Sequence, residues 1–195
     1  MRRLRAAAGL LLAAFTLILA LAPTGAPASA GERALRYLAG PPGTLDPAFI
    51  NSAQDVQLLL QLYTGVTRID EQGMVYPALA SGWDLTDEGR TYTFHLRDEL
   101  RFSDGSPLTA EDIRRSWLRI IDPATGALAP DVLNVIAGAT AWRSGSGSED
   151  EVGIEAPDDQ TLVVRLEHAA SHFPALAATP TAGVVPPQAD ASPSW

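Results

Sequence analysis

The histidines are the residues of this sequence with the most obvious capacity for catalysis or metal binding. His168 and His172 are four residues apart, with Glu167 beside them, and a helix would bring both imidazoles onto one face. The pair, however, straddles a junction between a predicted strand and a predicted helix, and no third ligand is evident. His95 falls on the polar face of a predicted strand. We therefore interpret the histidines as surface residues and predict no metal site and no cofactor.

Two further polar clusters also lack the pattern of a catalytic or ion-binding site. Residues 103–106 (SDGS) combine two hydroxyls with an acid, but the glycine predicts a turn rather than the strand–turn–helix of a nucleophile elbow. Residues 149–151 (EDE) lack the spaced ligands and central glycine of a calcium loop. Phosphate-binding and dinucleotide-binding glycine motifs are absent from the sequence, as is the H-E-x-x-H zinc motif. The sequence nominates no catalytic residue and predicts a protein that is not an enzyme.

Composition narrows the class of protein further. The 195 residues carry 14 basic and 23 acidic side chains, a formal net charge of −9, and no cysteine. The acidic balance argues against nucleic acid as a partner. The lack of cysteine excludes disulfides, thiol catalysis and cysteine-ligated metals.

The first 30 residues have the pattern of an export signal. Arginines at positions 2, 3 and 5 precede a nearly continuous apolar stretch, residues 10–22, and residues 28–30 (ASA) provide the small side chains of a cleavage site. The apolar stretch is shorter than the roughly 20 residues that span a bilayer, although an uncleaved anchor is the alternative. We predict a signal peptide at 1–30 and an exported protein, periplasmic or extracellular. Without cysteine it is not lipid-anchored.

Two amphipathic helices are predicted in the remaining chain. The first has an apolar face with the i, i+3, i+4, i+7 spacing, a cap at Asn51 or Ser52, and a stop at Gly65. The second is capped by Thr109, with acids in its first turn. The apolar faces consist of Val56, Leu59, Leu60 and Tyr63 in the first helix and Ile113, Trp117, Ile120 and Ile121 in the second.

Alternating apolar and polar residues predict hairpins at 66–76, 83–97 and 152–166. In the second hairpin Tyr92, Phe94 and Leu96 share one face, as in a sheet buried on one side. We also expect a helical turn at 77–80, and short helices broken at Gly138 and capped by Ser171. No regular element is predicted after residue 179.

Six segments of the chain form an ordered series of motifs: residues 62–70 (LYTGVTRID), 76–83 (YPALASGW), 92–97 (YTFHLR), 102–112 (FSDGSPLTAED), 122–123 (DP) and 156–162 (APDDQTL). Together they resemble the motifs of one protein family, the extracytoplasmic solute-binding proteins of oligopeptide, dipeptide and nickel ABC transporters. The similarity runs from about Leu35 to Pro187 and implies a mixed α/β, periplasmic-binding-protein-like class II fold.

The resemblance also implies a division of the chain. Residues 31–52 are expected to form the first strand and loop of lobe I, and residues 53–166 an N-terminal subdomain of antiparallel hairpins and helices. Residues 167–195 would then return to lobe I. Because family members are considerably longer, we expect the chain to be an N-terminal fragment lacking the second lobe.

By resemblance, the ligand-facing positions within the chain are Asn51, Ser52 and Ala53. Peptide-binding members often carry an acid at the first of these, so Asn51 departs from the pattern. The family's aromatic contact is expected near Ala129, where this sequence has no aromatic residue.

The resemblance implies a monomeric substrate-binding component of an ABC importer, which binds a small peptide or peptide-like solute and docks on membrane permease subunits. Two alternatives remain at this stage. One is a non-functional truncated remnant, and the other is a small secreted hydrolase that uses His168 and His172.

Overall fold

A computed structural model describes residues 43–188 of the chain. The predicted signal peptide at 1–30 and the predicted strand around Leu35 therefore lie outside the described residues. Within 43–188, no helix has the length and apolar character needed to cross a bilayer.

Six strands in the described part of the chain form two antiparallel sheets. A two-stranded sheet pairs β1 with β2, and a four-stranded sheet has the order β3-β4-β6-β5. The second strand of the hairpin predicted at 152–166 thus pairs with β4. Two hairpins that are far apart in sequence therefore share one sheet. The strands are β1 (Thr67–Ile69), β2 (Val75–Pro77), β3 (Ala80–Thr86), β4 (Thr91–Leu96), β5 (Ile154–Asp158) and β6 (Thr161–Arg165).

Between residues 43 and 188, four α-helices accompany the sheets, together with several single 3₁₀ turns. The turn that matters for the site, Pro47–Phe49, is separated by residues 50–52 from the helix that begins at Ala53. The helices are α1 (Ala53–Leu62), α2 (Ala110–Ile121), α3 (Ala139–Arg143) and α4 (Phe173–Leu176).

The β3–β4 hairpin confirms the alternation read from the sequence. Tyr92, Phe94 and Leu96 are buried, whereas His95 on the opposite face is exposed. The predicted helical turn at 77–80 is wrong, because Pro77 completes β2 and Ala80 begins β3. The amides of Ala78 and Ala80 both donate to the carbonyl of Val66, so pairing with the neighbouring strand replaces a local helical turn.

Helix α2 packs its apolar face onto the four-stranded sheet. Thr109 and Asp112 form a reciprocal capping box that satisfies free amides at the helix start. Trp117 is fully buried, meets the ring of Phe173 edge-on at 6.0 Å between centroids, and donates from Nε1 to the carbonyl of Ala182 at 2.9 Å. The helix therefore joins the sheet to the segment that follows α4.

The hydrophobic core is continuous across position 166, where the predicted subdomain boundary falls. It contains Phe94 from the sheet, Phe173 from α4 and Val184 from the irregular segment after Thr179. Residues up to 185 thus pack against α2 with a single 3₁₀ turn, Pro180–Ala182, as their local secondary structure after α4.

Two local predictions are corrected. Leu60 lies on the predicted apolar face of α1 but is 53% exposed, whereas Asp55 is buried. The cap of α4 is His172 rather than Ser171, and the helix is only four residues long. The predicted break at Gly138 is confirmed, because its φ of 75° is not helical. Only glycine fits there, since a Cβ would lie 2.4 Å from the carbonyl oxygen of Glu151.

Candidate functional site

The three expected ligand-facing residues lie together at the start of α1. Asn51 and Ala53 are exposed and Ser52 is half-buried. Ser52 is the N-cap, and its Oγ accepts from the amide of Asp55 at 3.1 Å. The backbone just before the helix forms a loop, residues 43–52, whose shape decides where the Asn51 side chain points.

Asp55 fixes this loop from beneath. Its side chain is fully buried, and its carboxylate accepts from the amide of Gly43 at 2.8 Å and from the amide of Asn51 at 3.4 Å. The hydrogen bond with Ser52 and those from backbone amides hold the pKa of Asp55 below its usual range, against the opposing effect of burial. The carboxylate therefore stays ionised and accepts from the backbone of the loop.

An ion pair fixes the middle of the 43–52 loop to α2. Arg119 donates through both terminal nitrogens to Asp46, at 2.9 Å to Oδ1 and 2.5 Å to Oδ2, the two-point geometry that suits guanidinium and carboxylate. Asp46 also accepts from the amide of Ala48 at 2.9 Å. Since both side chains are mostly shielded from water, 18% and 11% exposed, the pair is screened less than one on the surface.

Two further contacts hold the loop to neighbouring segments. The hydroxyl of Tyr63 donates to the carbonyl of Leu45 at 3.0 Å, and the amide of Leu128 donates to the carbonyl of Ala48 at 2.9 Å. Burial, followed by the negative charge of Asp46, raises the pKa of Tyr63, so its hydroxyl remains a neutral donor. The loop is thus anchored at several points along its length.

The position of the expected aromatic contact lies beside this loop. Ala129 is exposed and follows Leu128, whose amide bonds to the loop. The structure therefore places the segment before Ala129 against the middle of the loop that ends at Ser52. Small and neutral side chains occupy both positions.

Leu45 of the 43–52 loop also lines an open groove of about 530 Å³. Its lining is largely apolar and includes Leu62, Phe102 and Val184, while Asp104 of the predicted 103–106 turn stands at its edge. Asn51, Ser52 and Ala53 do not line it. This groove and the expected ligand-facing residues are thus separate features of the surface.

The three histidines considered in the sequence analysis lie on the surface of the described structure. His168 and His172 are both exposed, and His95 pairs with Asp84 at 2.8 Å on the outer face of the sheet. Among residues 43–188, no cluster of three or more histidine, aspartate or glutamate side chains could hold a metal ion.

Comparison with known proteins places the chain in a family. The model of the bacterial extracellular solute-binding proteins, family 5 (middle region), matches residues 74–195. The chain belongs to this family.

Three relatives show how the similarity is distributed. The probable deoxycholate-binding periplasmic protein YgiS of Escherichia coli is 41% identical over 150 residues, 74% of this chain and 28% of that protein. The periplasmic oligopeptide-binding protein OppA of E. coli is 32% identical over 190 residues, 95% of this chain and 35% of that protein. The structure of OppA from Burkholderia pseudomallei superposes with a TM-score of 0.72 at 34% identity, over 76% of this chain and 29% of that chain.

These similarities confirm the predicted family and the mixed α/β fold of the periplasmic binding proteins. The chain spans about a third or less of the length of these relatives. The relatives are solute-binding proteins, which fits the prediction that this protein is not an enzyme, and the two E. coli proteins are periplasmic.

Sequence reasoning missed the residues that hold the 43–52 loop. Asp46, Asp55 and Arg119 were not singled out, because an acid in a loop and an arginine on a helix are common surface residues. One signal was present in the sequence: Ser52 followed three residues later by an acid is a capping pattern, and it marks Asp55 as a residue that turns back towards the preceding loop.

Proposed function

We propose that the chain is part of the extracytoplasmic solute-binding subunit of an ABC importer for peptides or peptide-like solutes. The family match over residues 74–195 carries this proposal. Two relatives, one named oligopeptide-binding and the other probable deoxycholate-binding, set the range of solutes worth testing. Residues 1–30 direct export, membrane permease subunits receive the loaded protein, and no cysteine is present to carry a lipid.

Within this proposal, Asn51, Ser52 and Ala53 face the solute. Their exposure at the end of an anchored loop supports this role, since preorganised groups lose less conformational entropy on binding. Asn51 offers a neutral amide, which donates and accepts hydrogen bonds but supplies no negative charge for a terminal ammonium. The division into residues 31–52, 53–166 and 167–195 remains part of the proposal.

A specific observation favours an amphipathic carboxylate as a second solute class. The similarity to the deoxycholate-binding relative reaches 41% identity, and Asn51 would not repel a negatively charged solute as an acid would. A solute panel therefore needs both short peptides and a bile acid.

A thermal-shift screen tests the function. The protein as its gene encodes it is heated with defined tripeptides to pentapeptides and with sodium deoxycholate below its micellar concentration, and E. coli OppA serves as positive control. A solute at about 100 times its Kd stabilises the folded state by about 2.7 kcal/mol, which raises Tm by several degrees. Unchanged melting with every solute, while OppA responds to peptides, would contradict the proposal.

A further inference from the structure

Asp55 is a buried acid that follows the expected ligand-facing residues by two positions and is hydrogen-bonded to two of them, Asn51 and Ser52. Its side chain has no exposed surface, so it is shielded from direct contact with a solute in this structure. Its carboxylate oxygens instead face inward, one towards the amide of Gly43 and the other towards the amide of Asn51. A charge placed in this way contributes to the shape of the backbone.

The bonds of Asp55 connect two ends of one loop. Gly43 stands twelve residues before Asp55 and Asn51 four residues before it, so the carboxylate ties the start of the 43–52 loop to its end. The side chain of Asn51 folds towards the same point, because a Cβ added to Gly43 would lie 3.5 Å from Asn51 Oδ1. The position of Asn51 therefore depends on both ends being held.

Ser52 completes the arrangement. It accepts from the amide of Asp55, which starts α1, so the loop end and the helix start share a single set of bonds. An acid at the third helical position ordinarily returns to the N-cap amide. The Asp55 carboxylate reaches one residue further back, to Asn51, and across to Gly43.

We propose that Asp55 is a positioning residue for solute recognition: its buried carboxylate holds Gly43 and Asn51 so that Asn51 and Ser52 are set before the solute arrives. The role of Asp55 in solute recognition rests on the proposed function. The loop geometry itself follows from the contacts, independently of which solute binds.

Asp55→Asn tests the role with little change in shape. The amide keeps one acceptor oxygen but turns an NH₂ group towards the second backbone N–H, so either Gly43 or Asn51 loses its partner. Amide hydrogen exchange at one or both of these residues should accelerate about tenfold or more, since losing a hydrogen bond to a charged group costs more than a tenfold change in equilibrium.

Asp112→Asn is the matched control. Asp112 occupies the third position of α2 and accepts from the amide of Thr109 at 2.9 Å, so this variant also weakens an N-terminal cap, but in a different helix. Exchange at Gly43 and Asn51 should stay at the wild-type rate. Unchanged exchange in Asp55→Asn, or equal acceleration in both variants, would overturn the proposal.

Affinity for trialanine or sodium deoxycholate supplies the functional readout. Whichever of these probes the wild type binds should bind Asp55→Asn at least about tenfold more weakly, while Asp112→Asn changes its affinity by less than about threefold. Equal affinities in wild type and Asp55→Asn would overturn the role in recognition. Lack of binding by the wild type would contradict the proposed function, and the exchange measurement would still decide whether Asp55 positions the loop.

If Asp55→Asn does not fold, Asp55→Glu replaces it. The charge is kept, but an added methylene moves the carboxylate away from one of its two amide donors. Accelerated exchange at Gly43 or Asn51 supports the proposal, and wild-type rates at both residues contradict it.

Discussion

At the scale of single residues, the site depends on charges that are bound inside the molecule. Asp46 pairs with Arg119 at two points, and Asp55 accepts from backbone amides. Each acid is bonded to the 43–52 loop, so the loop needs little regular secondary structure of its own. Asn51 and Ser52 could be named from the family resemblance, but the acids that hold them became evident only once distant segments were seen together.

The Asp46–Arg119 pair should couple more strongly than a surface pair. We expect a double-mutant cycle with Asp46→Ala and Arg119→Ala to give a coupling free energy of about 2 kcal/mol, because both partners are mostly shielded from water. Urea unfolding of the wild type, both single variants and the double variant measures it.

The pair between Glu155 and Arg165 is the control for that measurement. Its side chains are 55% and 48% exposed, so its coupling should stay below about 1 kcal/mol. Equal coupling in the two pairs would show that burial does not strengthen the Asp46–Arg119 contact.

At the scale of elements, hydrophobic periodicity predicted most of the structure. The β3–β4 hairpin and helix α2 follow their patterns closely because each buries one face and exposes the other. Helix α1 departs from its pattern: tertiary contacts bury Asp55, and Leu60 remains exposed. The insertion of β6 between β4 and β5 depends on long-range pairing, which local sequence does not encode.

The segment after Thr179 illustrates the same limit. Its prolines and lack of periodicity predict no helix or strand, yet Val184 and Val185 are buried. Arg115 donates to the carbonyl of Val185 at 2.6 Å, and Trp117 to that of Ala182. Side chains on α2 thus supply the hydrogen bonds that a strand partner would otherwise provide.

Trp117 should therefore contribute strongly to stability, because it joins α2 to α4 and to the segment after Thr179. Trp117→Phe removes the donor to Ala182 and part of a fully buried ring, so we expect unfolding to become easier by about 2–4 kcal/mol. Trp142→Phe, at a half-buried tryptophan, should cost less than about 1.5 kcal/mol. Urea denaturation measures both variants, and similar losses would contradict the role given to Trp117.

At the scale of the whole molecule, residues 43–188 share a core that joins the 43–52 loop, the sheet and the segment after α4. The relatives are solute-binding proteins, and among residues 43–188 no three histidine, aspartate or glutamate side chains form a group that could hold a metal ion. In the proposed function, the solute meets Asn51 and Ser52 on an anchored loop, and the chemistry of those side chains contributes to its selection.

Isothermal titration calorimetry on the protein as its gene encodes it tests solute binding most directly. We predict saturable one-to-one binding of a short peptide or of deoxycholate, with a negative heat-capacity change from burial of apolar surface. We also predict a clear loss of affinity in Asn51→Ala. The absence of saturable heat with every peptide and with deoxycholate, under conditions in which E. coli OppA is saturated by peptide, would contradict the account.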